Sequence, residues 1–306
     1  MSAATQGDCM AAQQTYRLFD VALKQRTVLS PSLIRMVFAA PDVANMKTEG
    51  PDQRIKVFFP LPGQAAPEVP QGEDWYARYR ALPDTERAPM RTYTLRALRP
   101  DAGEVDVDFV LHGPTGPASR WAMQARVGDR VGLLAPDAQV EASSEGYEWK
   151  PPAQVKRVLL VADDTALPAV AGILEALAQW PQPPEVQAFL EVEHEADVLP
   201  LQAPHGAQLF WLAREGAAHG QRLQDAVRAR IGPSGIGGGE QPLAEIDIDQ
   251  DILWEQASAE QDGLYAWVAG EAGAVMAIRR HLVKTCGIDR RAITFMGYWR
   301  HGKVLD

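Results

Sequence analysis

Four short segments of this 306-residue chain carry residue types that could do chemistry at fixed spacing. In RTYT, Arg91, Thr92, Tyr93 and Thr94 follow one another on a strand-like run. Arginine offers a planar fork matched to phosphate oxygens. Tyrosine and threonine on the same strand can pack on a flavin ring and hydrogen-bond its polar edge. Alone, this motif reads better as an ordinary strand with an exposed arginine. Downstream, GPTGPAS (113–119) puts small residues and a proline at a helix start, where N–H groups and the positive dipole end seat an anion. Alone, it reads better as a tight turn and a capped helix.

The other two segments lie at strand-to-helix junctions. In VADDTALPAV (161–170), Asp163 and Asp164 can cap the helix, while Thr165 and the N–H groups after it can meet a pyrophosphate. No G-x-G-x-x-G accompanies them. In WVAGE (267–271), Ala269 and Gly270 would let the backbone approach a nicotinamide ring. GIGGGE (235–240) lacks the Lys-Ser/Thr ending of a phosphate loop and reads as a flexible loop. The six histidines form no close pair with metal-ligand spacing, so no bound metal is expected. No Ser-His-Asp grouping or G-x-S-x-G is readable, and no catalytic side chain is assigned.

These segments need elements to hold them. Short β-rich runs at 15–29, 33–40, 54–60, 90–98, 104–112 and 129–136, separated by turn signals, predict an antiparallel barrel. It is interrupted by a Pro-rich excursion (61–90) with a short helix near Trp75–Leu82, and by a helix after Gly116-Pro117. Residues 137–154, polar and containing Pro-Pro, read as a linker. The period then changes. Strands at 155–162, 185–193, 208–214, 264–270 and 291–300 alternate with helices at 165–180, 220–230 and 271–287. That pattern predicts an α/β domain with a parallel sheet and helices on both faces. Residues 231–262 interrupt the rhythm. The expected organisation is a barrel at 16–140 that holds FAD, then a nicotinamide domain at 152–306.

Composition narrows the classes. Forty acidic residues against thirty basic ones give a net charge of -10, which disfavours nucleic acid as a main partner. No apolar window is long enough for a membrane helix. The first residues, MSAATQGDCMAAQQTYR, lack a signal-peptide pattern. Cys9 and Cys286 make no disulfide framework. A reducing cytoplasm is the expected location.

Taken in order, RTYTLR, DFVLHGPTGPASRWA, DDTALPA, WVAGEAGAVMAIRRHL and GYWRHG resemble the siderophore-interacting protein family over roughly residues 16–306. These are FAD-containing ferric-siderophore reductases of the ferredoxin–NADP reductase-like superfamily. The resemblance implies that Arg91, Thr92, Tyr93 and Thr94 hold the flavin and its phosphates. Asp108, Val110 and His112 would line the strand beside it. Gly116, Ala118 and Ser119 would meet the pyrophosphate, with Trp121 packed behind. Asp163, Thr165, Ala166, Glu271 and Arg279 would form the NAD(P)H pocket, and Tyr298 and Trp299 would close over the flavin. The chain departs from the family's Gly-Asp-Glu-Thr with Ala162-Asp163-Asp164-Thr165.

The implied activity is NADPH- or NADH-driven reduction of Fe(III) in a ferric siderophore to Fe(II). The alternatives are a general flavin electron-transfer reductase and a non-enzymatic siderophore binder. Ferric siderophores are often anionic, so Arg54, Lys56, Arg300 and Lys303 are the candidate substrate contacts. Arg214, at the end of a strand, could pair with a 2′-phosphate, which leans toward NADPH.

Overall fold

A computed structural model describes residues 15–113, 116–233, 243, 246, 251–259 and 263–303. GIGGGE and most of 231–262 therefore lie outside the described residues. The chain divides into two compact units between Tyr147 and Glu148.

The first unit is a curled antiparallel sheet. Its strands are β1 (Tyr16–Ser30), β2 (Leu33–Ala39), β3 (Arg54–Phe58), β4 (Met90–Thr94), β5 (Ala97–Arg99), β6 (Glu104–Val110) and β7 (Arg130–Pro136). Helix α1 (Trp75–Ala81) lies between β3 and β4, and α2 (Pro117–Gln124) between β6 and β7. The sheet order is β4-β3-β7-β1-β2-β6-β5. Alternation selects the inward face: Phe19, Val21 and Leu23 of β1 and Val105, Val107 and Phe109 of β6 join one buried cluster.

The single strand expected at 90–98 is two strands. β4 pairs with β3 and β5 with β6, at opposite ends of the sheet order. Between them, Leu95 N–H donates to Gln53 O (2.8 Å) and Arg96 N–H to Asp106 O (2.9 Å). One continuous segment thus runs from one edge of the sheet to the other and draws the two ends of the barrel together. Beside this crossing, the Tyr93 and Phe109 rings meet tilted, 4.4 Å apart between centroids. Helix α2 plugs the interior. Ala118 and Ala122 are buried, and Trp121 packs on Phe38, Phe59 and Phe109 at 6.1, 5.4 and 6.2 Å.

The second unit contains β8 (Arg157–Ala162), α3 (Leu167–Ala178), β9 (Glu185–Val192), β10 (Gln208–Ala213), α4 (Gln221–Arg230), β11 (Trp254–Glu255), β12 (Leu264–Glu271), α5 (Ala272–Arg280) and β13 (Ile293–Trp299). Its order is β10-β9-β8-β12-β13-β11. All neighbours are parallel except β11, a short antiparallel edge strand that the sequence pattern did not reveal. From β8 the chain steps one way to β9, and from β12 the other way to β13. Right-handed crossovers then put α3 and α5 on opposite faces. Leu223 and Val227 of α4 and Val275 and Ile278 of α5 pack on Leu159, Val161, Phe189 and Val268. This two-sided cover is why β8 reads as a continuous apolar run. The predicted helix over 271–287 is α5 followed by a π-helical turn at His281–Thr285. Among the described residues, no helix is long and apolar enough to cross a membrane.

Phe109 is fully buried and touches the β4 closure and the α2 plug together. Phe109→Ala is expected to cost about 3–5 kcal/mol, read as a lower denaturation midpoint. Val127→Ala, at an exposed position, should change the midpoint little.

Candidate functional site

In the first unit, Arg91 and Tyr93 share one face of β4 by alternation, and Thr92 and Thr94 share the other. The half-buried Arg91 donates to Met90 O (2.7 Å). Tyr93 is held by Phe109, and burial pushes its hydroxyl pKa up. Exposed Thr92 accepts from Lys56 Nζ (2.8 Å), and buried Thr94 stands opposite Arg54.

Phe109 also bridges Tyr93 to Trp121, which brings β4 to the start of α2. That start is anchored by His112, whose N–H donates to Ser119 Oγ (3.2 Å). Gly116 is the N-cap, and among the described residues no side chain caps the helix and a Cβ built on Gly116 would meet nothing within 4 Å. Pro117, Ala118 and Ser119 keep the first turn small. An uncapped, sterically open helix start suits a phosphate group, so these residues fit the diphosphate of FAD. Asp108 is placed differently. It lies on the face of β6 opposite Phe109, buried, in a bidentate pair with Arg35 at 2.7 and 2.8 Å. Val110 is half-buried at the end of β6.

In the second unit the strand order reverses between β8 and β12, and ligands bind open sheets outside the carboxyl ends at such a point. Asp163 follows β8 and is buried there. Its Oδ1 accepts from the Thr165 N–H (3.0 Å) and hydroxyl (2.6 Å). Its Oδ2 accepts from Glu271 N–H and Trp299 Nε1, both at 2.8 Å. Gly270 makes this possible: its φ is +150°, and a Cβ there would come within 2.7 Å of the Asp163 carboxyl.

Glu271 then caps α5, accepting from Ala274 N–H (2.9 Å), and pairs with Arg300 (2.8 Å). Burial opposes its ionisation, but Arg300 and the Ala274 and His301 N–H groups hold its pKa below the ordinary value. Ala166 is buried at the N-cap of α3. The sequence-derived residues Asp163, Thr165, Glu271, Trp299 and Arg300 thus converge. Arg279 does not join them. Its buried guanidinium binds Glu255 at 2.8 and 2.9 Å.

Residue patterns alone missed an adjoining network. Arg214 is 1% exposed and bonds Asp164 (3.1 Å), Glu191 (3.5 Å) and Glu193. Glu191 also accepts from Gly220 N–H (2.7 Å) and Leu223 N–H (3.1 Å) at the start of α4. Gly220 has φ +75°, and a Cβ there would lie 2.2 Å from that of Ala274, so only glycine lets α4 start against α5. His219 packs edge-on against Trp299 at 4.8 Å, and burial, then Arg214, lowers its pKa. The expectation that Arg214 meets a 2′-phosphate is therefore corrected, since carboxylates already surround its guanidinium.

Of the expected substrate contacts, Arg54 donates to Gly146 O (3.2 Å) and Lys56 to Thr92. Arg300 is partly neutralised by Glu271, and exposed Lys303 pairs through its backbone with Arg300.

Residues 22–140 match the model of the siderophore-interacting FAD-binding domain, and residues 155–302 that of the siderophore-interacting protein. The chain belongs to the siderophore-interacting protein family. Its barrel is thus the family's FAD-binding domain, as the order of motifs implied. Ferric vibriobactin reductase ViuB of Vibrio cholerae is 28% identical over 287 residues, covering 94% of this chain and 90% of the relative. The crystal structure of a siderophore utilization protein from T. fusca is similar at 28% identity, with a TM-score of 0.71 over 95% of this chain and 96% of that one. The ferredoxin reductase of carbazole 1,9a-dioxygenase shares the fold alone, at 14% identity and a TM-score of 0.58 over 93% of this chain and 70% of that one. In this siderophore-interacting protein, a barrel followed by a doubly wound α/β unit is therefore a ferredoxin reductase-like architecture.

Burial, and then the Asp163 charge, push the Asp164 carboxyl up to about 7 against the pull of Arg214. Its unfolded value is near 3.8, so the folded chain holds the extra proton between these values. The stability this proton contributes is present below about pH 4 and lost as pH rises through about 7. Unfolding free energies between pH 5 and 8 should fall less steeply in Asp164→Asn than in the parent protein. Equal slopes would mean that Asp164 is already ionised in the fold.

Proposed function

We propose that this protein is an FAD-dependent oxidoreductase that takes electrons from a reduced nicotinamide dinucleotide and delivers them to Fe(III) in a ferric siderophore. The observation that carries the reading is the Tyr93–Phe109–Trp121 contact. It sets the RTYT strand beside an uncapped, open helix start within the family's FAD-binding domain. ViuB, similar over nearly the whole chain, is by its name a ferric vibriobactin reductase.

The chemistry that FAD supplies when bound is acceptance of a hydride and release of single electrons. The chain's residues bind and orient. The Arg91 guanidinium and the first N–H groups of α2 hold the phosphates. Tyr93, backed by Phe109, packs against the ring system, while Thr92 and Thr94, on the other face of β4, support the strand, Thr92 through its bond from Lys56. In the second unit, Asp163 spends its lone pairs on Thr165, Glu271 and Trp299, so it fixes the rim of the nicotinamide site rather than contacting the dinucleotide with a free oxygen. No side chain has to move a proton. Iron leaves because siderophore oxygens suit Fe(III) better than Fe(II). A reductase of imported chelates belongs in the cytoplasm, where reduced nicotinamide is made.

An absorbance spectrum with anaerobic additions tests this. Flavin bands near ~450 nm should bleach with a reduced nicotinamide and return on adding a ferric siderophore. Bands that persist with both NADH and NADPH would remove the nicotinamide donor. Lys56→Ala combined with Lys303→Ala should raise the apparent KM for an anionic ferric chelate several-fold and leave the bleaching step unchanged. An unaltered KM would remove these lysines from the substrate contact.

A further inference from the structure

NADH and NADPH differ by one phosphate on the adenosine ribose. In doubly wound sheets the ribose is read beyond the carboxyl end of the strand next to the first. An acidic side chain there accepts the 2′-hydroxyl, and an arginine accommodates a 2′-phosphate. Here the strand beside β8 is β9, which ends in Glu191-Val192 and is followed directly by Glu193, and its neighbour β10 runs into Arg214-Glu215.

Arg214 cannot serve a 2′-phosphate without breaking its own cage. It is 1% exposed and shared by Asp164, Glu191 and Glu193. Withdrawing it would take from the buried Asp164 and Glu191 oxygens the donor that Arg214 supplies, a costly state. The outer wall of the cage is acidic. The Glu193 side chain is 35% exposed, and Arg214 holds its pKa low against the effect of burial. Beside it, exposed Glu215 accepts from Glu195 N–H (2.9 Å) and contacts His194 (3.3 Å). A dianion arriving here meets carboxylates, whereas a hydroxyl finds an acceptor.

We propose that this acidic end of β9 and β10 selects the 2′-hydroxyl, making NADH the donor, with Glu193 as the specificity-determining residue. The proposal rests on the second unit being the nicotinamide site.

The test is calorimetric binding of NAD+ and NADP+ to the FAD-loaded full chain, with 5′-AMP and adenosine 2′,5′-bisphosphate as probes of the ribose end. NAD+ should bind at least about tenfold more tightly than NADP+, and 5′-AMP more tightly than the bisphosphate. Glu193→Gln leaves Asp164 and Glu191 on Arg214 and should narrow both ratios several-fold, while Glu193→Asp keeps them. Tighter NADP+ binding by the parent protein, or ratios that Glu193→Gln does not change, would overturn the proposal and leave the nicotinamide site standing. Failure of both dinucleotides to bind would remove that site, and the proposal with it. If Glu193→Gln does not fold, the paired probes on the parent protein still decide the preference.

Discussion

A single buried carboxylate organises the second unit. Asp163 collects hydrogen bonds from Thr165, from the backbone of Glu271 and from Trp299. It thereby ties together the ends of β8 and β12, which flank the reversal in strand order, and of β13 beside β12. A buried charge is tolerated only when its lone pairs are occupied. Gly270 meets that requirement by leaving out the Cβ that would occupy the carboxylate's place. From this anchor the order propagates. Glu271, once positioned, caps α5 and holds Arg300. Asp164, next in the chain, is turned toward Arg214.

The barrel solves a different problem. Its two edge strands must meet, and the chain does this by letting β4 and β5 be successive parts of one segment. Phe109 packs under that seam and under Trp121. A core aromatic residue therefore connects the two motifs, RTYT and GPTGPAS, that individually look like an ordinary strand and an ordinary turn. Their chemical meaning is a consequence of their meeting.

Much of this was legible in residue order. The apolar run VLLVA, the alternation in EVDVDFV and the Gly-Pro helix start each follow from local physics, namely apolar packing on both faces, apolar packing on one face, and a proline that needs no N–H donor partner. The five ordered motifs pointed to the family and its FAD-binding domain. The short β11 was not legible, because two residues cannot display a period. Arg279 was not legible either. A cation on an amphipathic helix can face a ligand or a carboxylate, and Glu255, distant in sequence, takes it.

By itself, the sequence determined most of the strands and helices, that a β-rich half precedes an α/β half, and which small residues stand at the junctions. Those properties are set by neighbours a few positions apart. Only the tertiary structure decided what the charged side chains do. Arg214 at the end of an apolar strand looks available for a phosphate. In the fold it is enclosed by Asp164, Glu191 and Glu193, residues brought to it by two neighbouring strands. A charge has no periodicity, and its role depends on which counter-charges the topology brings within a few ångströms.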